Sequence, residues 1–218
     1  MNAAVREYLD GIPLWRRSVL WLLFLGPFFF ASYGFANRMA AERGITDSLV
    51  FEWERHVPFL PWTILPYWSI DLFYGLSFLC CRDRAAVDRH AFRLLTAQFA
   101  CVAAFLLFPL HYSFARPQTD GLFGAMFDAL MGFDQPYNQA PSLHIALLVI
   151  IWVRFAEAAS GAWRVAVHLW ATLIAISVLT TFQHHFFDIP TGAAVGLFCL
   201  WLWPDDRPRS EEHTSEFQ

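Results

Sequence analysis

The chain contains no lysine; all fifteen of its cationic side chains are arginine. Charge of either sign is scarce, at 16% of residues against about a quarter in soluble domains. That scarcity removes the solvated faces on which a water-soluble fold depends. Cysteine is limited to Cys80, Cys81, Cys101 and Cys199, all within or at the ends of apolar stretches and without a CxxC pair. A thiol in such a setting behaves as a small hydrophobe, so neither a disulfide nor a metal role is expected. No cofactor and no nucleic-acid partner are expected either.

What is abundant is apolar sequence, 57% of the chain, with 18% aromatic residues. It falls into six runs with almost no charge: Ser18 to Asn37, Val57 to Cys81, Leu94 to Ala115, Leu143 to Val153, Val165 to Gln183 and Phe186 to Pro204. Most are long enough to cross a hydrocarbon core of roughly 30 Å. The fourth becomes so when extended from Ser142 to Ala159, because Arg154 can snorkel from a helix end. The expected fold is therefore all-α, an integral membrane bundle of six transmembrane helices. The first run is long, contains Pro27 and lacks a small-x-small cleavage site, so it reads as a retained helix and not a signal peptide.

Six crossings sort the loops into two sides. One holds Arg6, Arg16, Arg17, Arg82, Arg84, Arg89, Arg93, Arg154, Arg164, Arg207 and Arg209; the other holds only Arg38, Arg43, Arg55 and Arg116. The positive-inside rule then places both termini in the cytoplasm, with the loops after helices one, three and five facing outward. Residues 1–17 read as a cytoplasmic lead, 18–204 as the membrane domain and 205–218 as a cytoplasmic tail. In the loop after helix one, Thr46 or Asp47 is expected to cap a brief interfacial helix ending near Arg55. In the loop between helices three and four, Leu122, Phe123, Met126, Phe127, Leu130 and Met131 recur at helical spacing and predict a short amphipathic helix on the membrane surface.

Ionisable residues at membrane depth are costly, and they collect in the outward loops. Arg116 follows helix three, Ser142 and His144 open helix four, and His184, His185 and Asp188 join helices five and six. In a helical segment His184 and Asp188, four apart, share a face, so the carboxylate can take one imidazole N–H and leave the other nitrogen with a lone pair. That arrangement suits a nucleophile. His144 is the candidate general acid, and Arg116, Ser142 and the free N–H groups opening helix four are the candidate phosphate donors. Asp71, alone in the second run, reads as structural. Gly192 and Gly196 form a small-xxx-small pair that permits close helix packing.

The segments FARP, NQAPSLH and SVLTTFQHHFFD resemble the three signature motifs of the type 2 phosphatidic acid phosphatase superfamily, in the same order. The resemblance implies that His184 becomes a phosphohistidine, that Asp188 and His144 complete the catalytic set, and that Arg116, Ser142 and Ser177 bind phosphate. Pro109, Leu143 and Val178 stand where the family pattern has Lys, Gly and Arg, so two phosphate-binding cations are absent. The PSLH form is similar to the branch containing inositolphosphorylceramide synthases and sphingomyelin synthases, which are lipid phosphotransferases. Fewer cations disfavour a dianionic monoester more than a diester. The expected substrate is thus a phospholipid or a lipid phosphate, with His111 or His185 assisting its binding. Bacterial chains of this kind can continue into a cytoplasmic phosphatase domain. Residues 209–218, which resemble a translated sequencing adapter, are expected not to be native. Two other readings use the same residues: a metal-dependent membrane hydrolase with His144, His184, His185 and Asp188 as ligands, and a non-enzymatic transporter or scaffold.

Overall fold

The computed structural model describes residues 11–205. Arg6, Arg207, Arg209, the start of the lead and nearly all of the tail lie outside these residues. Among the described residues there are seven α-helices and no strand. They are α1 (Leu14–Glu42), α2 (Ile64–Ser77), α3 (Arg84–Leu107), α4 (Gly121–Met131), α5 (Leu143–Ala158), α6 (Gly161–Thr180) and α7 (Asp188–Leu202).

Six of the seven run alternately between two ends of the molecule, and α4 lies across one end. Loop pairings define that end: His111 N–H donates to Asp47 O, Leu60 N–H to Thr180 O and Ser142 N–H to Asp188 O, at 2.7, 2.8 and 3.0 Å. The opposite end is defined by Arg17 on Asp88 and by Arg93 and Arg154 on Asp205. At mid-height, Gln98 on α3 donates to Ser32 Oγ on α1 at 2.8 Å, satisfying polar groups between apolar faces.

Three helices, α1, α3 and α6, are long and apolar enough to cross a membrane. Helices α2, α5 and α7 have 14, 16 and 15 residues, or about 21 to 24 Å of helix, short of a hydrocarbon core of ~30 Å. The shortfall has a local cause. The 3₁₀ turns Pro61–Thr63 and Phe78–Cys80 flank α2, while α5 and α7 begin inside the bundle, where the imidazoles are held.

Two expectations need correcting. Thr46 and Asp47 cap nothing; the brief helix ending near Arg55 is the 3₁₀ segment Glu52–His56, closed by the Glu54 carboxylate on Phe51 N–H. Helix α3 starts ten residues before Leu94, capped by Asp83, and carries Arg84, Arg89 and Arg93 on its first turns. Charge in those turns hid the helix from a search for uncharged runs. The amphipathic helix between the third and fourth runs is present as α4, with Phe127 and Leu130 buried and Leu122 and Met131 exposed.

Helix α5 is the central helix, with Ile145, Ala146, Leu147, Leu148, Ile150 and Ile151 all buried, as an apolar-all-round sequence requires. Against it lies α7, where a Cβ at Gly192 would sit 2.4 Å from Ser142 O and one at Gly196 2.8 Å from Ala146 O. Only glycine permits this approach, and it brings Asp188 on α7 beside Ser142 on α5. All four cysteines are free thiols.

Candidate functional site

The site is built where α6 ends. Phe182 N–H donates to Leu179 O and Gln183 N–H to Val178 O, both at 3.1 Å, a closure that requires a left-handed residue just past the end of the helix. Phe182 is that residue, at φ 57°, where glycine is usual. Such a conformation costs about 1 kcal/mol or more and persists only where the surroundings fix it. Here Arg116 fixes it, donating through Nε to Thr181 O at 3.1 Å and through Nη2 to Phe182 O at 3.2 Å, with its guanidinium 5.0 Å above the Phe127 ring. Burial lowers the Arg116 pKa, partly offset by the nearby Tyr67, Tyr112 and Asp134. Its Nη1 makes no hydrogen bond with any described residue.

The turn then presents two imidazoles in different ways. His184 donates from Nδ1 to Asp188 Oδ2 at 3.1 Å, and both side chains are buried. The contact arises through a turn and not, as expected, along a helical face, because α7 begins only at Asp188. The same carboxylate oxygen accepts His185 N–H at 3.1 Å, which fixes the turn. Nε2 of His184 is left without a hydrogen-bond partner among the described residues. His185, by contrast, is fully engaged. Its Nδ1 donates to Glu54 Oε2 at 3.0 Å, its Nε2 accepts from Ser113 N–H at 3.2 Å and Ser113 Oγ at 3.1 Å, and its ring stacks on Tyr112 at 4.4 Å. Glu54 also accepts Phe186 N–H at 2.9 Å and thereby ties the first outward loop to the third.

A cavity of about 100 Å³ lies beside this turn, and both His184 and His144 line it. His144 enters from the first turn of α5, its ring stacked on Tyr67 at 4.2 Å and 16°, with Nε2 buried and without a partner. Ser142 caps α5 by accepting Ile145 N–H at 3.3 Å. Asp134 also lines the cavity, and its two oxygens accept from Tyr33 at 2.7 Å and Tyr67 at 3.4 Å. Burial pushes the Asp134 carboxyl above the ordinary carboxylate range, against the opposing pull of Tyr33, His184, Tyr67 and Arg116. Asp71 lines the same cavity.

The fold thus brings His144, His184 and Asp188 together, with Ser142 and Arg116 holding the backbone around them. It does not bring the remaining candidates to the cavity. Ser177 donates to Ile174 O on its own helix at 2.6 Å; His111 lies edge-on to Tyr137 at 5.3 Å; and His185 serves the packing described above. Tyr33, Tyr67, Asp134 and Glu54 were not singled out from the sequence. The tyrosines sit within apolar runs and the acids within loops, where each residue type is ordinary. Among the described residues, no group of three or more His, Cys, Asp or Glu side chains is placed to hold a metal ion. No family model, curated protein or solved structure matches the chain.

Proposed function

We propose that the protein is a membrane-embedded lipid phosphatase or phosphotransferase that acts through a phosphohistidine at His184. The observation that carries the reading is the pair of imidazoles lining one cavity, each with an unengaged nitrogen, one of them oriented by a buried carboxylate. In the first step the Nε2 lone pair of His184 attacks phosphorus and the bond to the leaving oxygen breaks. His144, as imidazolium, gives that oxygen its proton. The negative charge of a bound phosphate favours the imidazolium form at that moment. In the second step water or an alcohol attacks the phosphohistidine, its proton passes to His144, and the N–P bond breaks. Asp188 stabilises the charge developing on His184 and keeps its tautomer fixed.

Arg116 supports the turn that carries His184, and its unengaged Nη1 is the group available to a phosphate oxygen. All six end-to-end helices cross the membrane in this reading, the short ones completed by loop segments that are buried in protein and not in lipid. The arginine-rich end is cytoplasmic and the histidine end periplasmic in a bacterial inner membrane.

The test is to trap the phosphorylated protein. Label from a phospholipid or lipid phosphate donor is expected in the wild type and in Glu157→Ala, at the opposite end, and is expected to vanish in His184→Ala. It is expected to survive exhaustive EDTA. Loss on chelation with rescue by metal would transfer the chemistry to a metal-dependent hydrolase.

A further inference from the structure

Three loops of the histidine end meet at the ring of His185, which lies 72 residues from Ser113 and 131 from Glu54 in sequence. Glu54 is buried and engaged through both oxygens. Oε1 accepts Phe51 N–H at 2.8 Å, and Oε2 accepts Phe186 N–H at 2.9 Å and Nδ1–H of His185 at 3.0 Å. That fixes the tautomer in which Nε2 of His185 carries a lone pair. The lone pair faces Ser113, whose Oγ lies 3.1 Å away and whose backbone N lies 3.2 Å away. Tyr112 stacks on the imidazole at 4.4 Å and Phe114 meets it edge-on at 5.0 Å, so the ring is held in this orientation. His185 is buried, but Ser113 is exposed. Water satisfies an exposed hydroxyl, so hydrogen-bond satisfaction alone gives no reason for this contact. A buried carboxylate, an imidazole it orients and a solvent-facing hydroxyl stand in the order of acid, base and nucleophile, an arrangement recognised by geometry and roles whatever the order in the chain.

We propose that Ser113, His185 and Glu54 form a second active site, separate from His184, that hydrolyses carboxylic esters with an apolar acyl chain. Ser113 Oγ attacks the ester carbonyl carbon, and its proton passes to Nε2 of His185. Glu54, through Nδ1, stabilises the imidazolium that forms. Once Nε2 holds a proton it no longer accepts Ser113 N–H, which is freed to face the oxyanion. Phe114 N–H, which makes no hydrogen bond with any described residue, is available as a second donor. The tetrahedral intermediate collapses, the C–O bond to the alcohol breaks, and the alcohol leaves with the Nε2 proton. Water then attacks the acyl-Ser113 ester and gives a proton to Nε2. The acyl C–O bond breaks, the carboxylic acid departs, and Ser113 regains its proton from His185. The surroundings set the acyl class. Phe186 meets Phe51 at 6.1 Å and Trp53 at 5.0 Å, and all three rings are exposed beside Glu54 and His185. Exposed aromatic rings of this kind favour an apolar chain over a polar one.

The experiment treats the full chain in detergent with an alkyl fluorophosphonate, which phosphonylates an activated serine with loss of fluoride, and maps the adduct by mass spectrometry. The adduct is expected on Ser113 and is expected to be absent in Ser113→Ala, which keeps the backbone N–H on His185. Turnover of p-nitrophenyl esters gives the second readout. The decanoate is expected to exceed the acetate in kcat/KM by about tenfold or more, a factor that two buried methylene groups suffice to give. In Ser113→Ala that turnover is expected to fall by about a thousandfold or more at an unchanged unfolding midpoint. Glu54→Gln is expected to lower kcat by about a hundredfold with KM within about twofold, because the imidazole loses the carboxylate that sets its tautomer. Neither readout uses a phosphoryl donor, so the outcome is independent of phosphorylation at His184. No adduct in the wild type, an adduct on His184 or elsewhere in place of Ser113, ester turnover undiminished in Ser113→Ala, or a preference for the acetate overturns the proposal.

Discussion

The two ends of the bundle handle charge in opposite ways. At the arginine end, carboxylates are shared among cations: Asp205 meets Arg93 at 2.9 Å and Arg154 at 3.0 Å, and Asp88 accepts from Arg17 and from Trp21 at 2.8 Å. Hydrogen bonds and ion pairs there join chain segments 51 to 112 residues apart. At the histidine end, Asp188 and Asp134 each hold one side of a ring and leave another group open. Asp188 takes Nδ1 of His184 and leaves Nε2, while Asp134 holds Tyr67, whose ring supports a His144 with an unpartnered Nε2. Buried polar atoms without partners are costly and uncommon. The Nε2 atoms of His184 and His144, which have no hydrogen-bond partner among the described residues, belong to side chains lining one cavity, and in the proposed reading a ligand there completes their bonding.

Substitutions sharpen this contrast. The largest effect is expected for His184→Ala, with turnover falling by about a thousandfold or more and no phosphoenzyme, since a nucleophile has no substitute. Gly192→Ala comes next. Its methyl group would meet the Ser142 carbonyl at 2.4 Å, forcing α7 from α5 and separating Asp188 and His184 from His144. A loss of about a hundredfold is reasonable for misplacement of about 1 Å, with a thermal unfolding shift equivalent to ~1–3 kcal/mol. Glu54→Gln removes the charge that holds His185 Nδ1 and Phe186 N–H, and about a tenfold loss is expected, with the label still on His184. At the other end, Asp205→Asn leaves Arg93 without its carboxylate and Arg154 with Glu157 alone, at 3.5 Å. Stability, read from the unfolding midpoint in detergent, is expected to fall by ~2–3 kcal/mol while turnover below that midpoint stays within about twofold. If Asp205→Asn instead abolished turnover at full stability, the two ends would not be separable.

Much of the architecture was legible in residue order. Apolar runs gave the end-to-end helices, period-3.6 spacing gave α4, and Gly192 and Gly196 gave a close helix contact whose partner, α5, only the fold supplies. The His184–Asp188 pairing was also legible, although the reason differed: the spacing of four works here through a left-handed turn at Phe182 and not a helical face. The features that stayed hidden depend on which way a helix is rotated and how deep a loop reaches. Tyr33 and Tyr67 sit unremarked within apolar runs, yet both reach Asp134, 101 and 67 residues away. Glu54 is one acid among others in a loop, yet it lies buried against His185, 131 residues on. Charge density misled at α3, where Arg93 is 2% exposed because Asp205 neutralises it. Composition records that a charge exists; only the fold supplies its partner.

The measurement that bears most directly on the account is site mapping of the trapped intermediate: the protein is quenched during turnover of a phospholipid donor, digested, and its phosphopeptides sequenced by mass spectrometry under conditions that preserve phosphohistidine. The expected result is a single phosphorylated peptide carrying the modification on His184, present in Asp205→Asn and absent in His184→Ala. A phosphoryl group on another residue, or turnover that proceeds undiminished in His184→Ala, would contradict it.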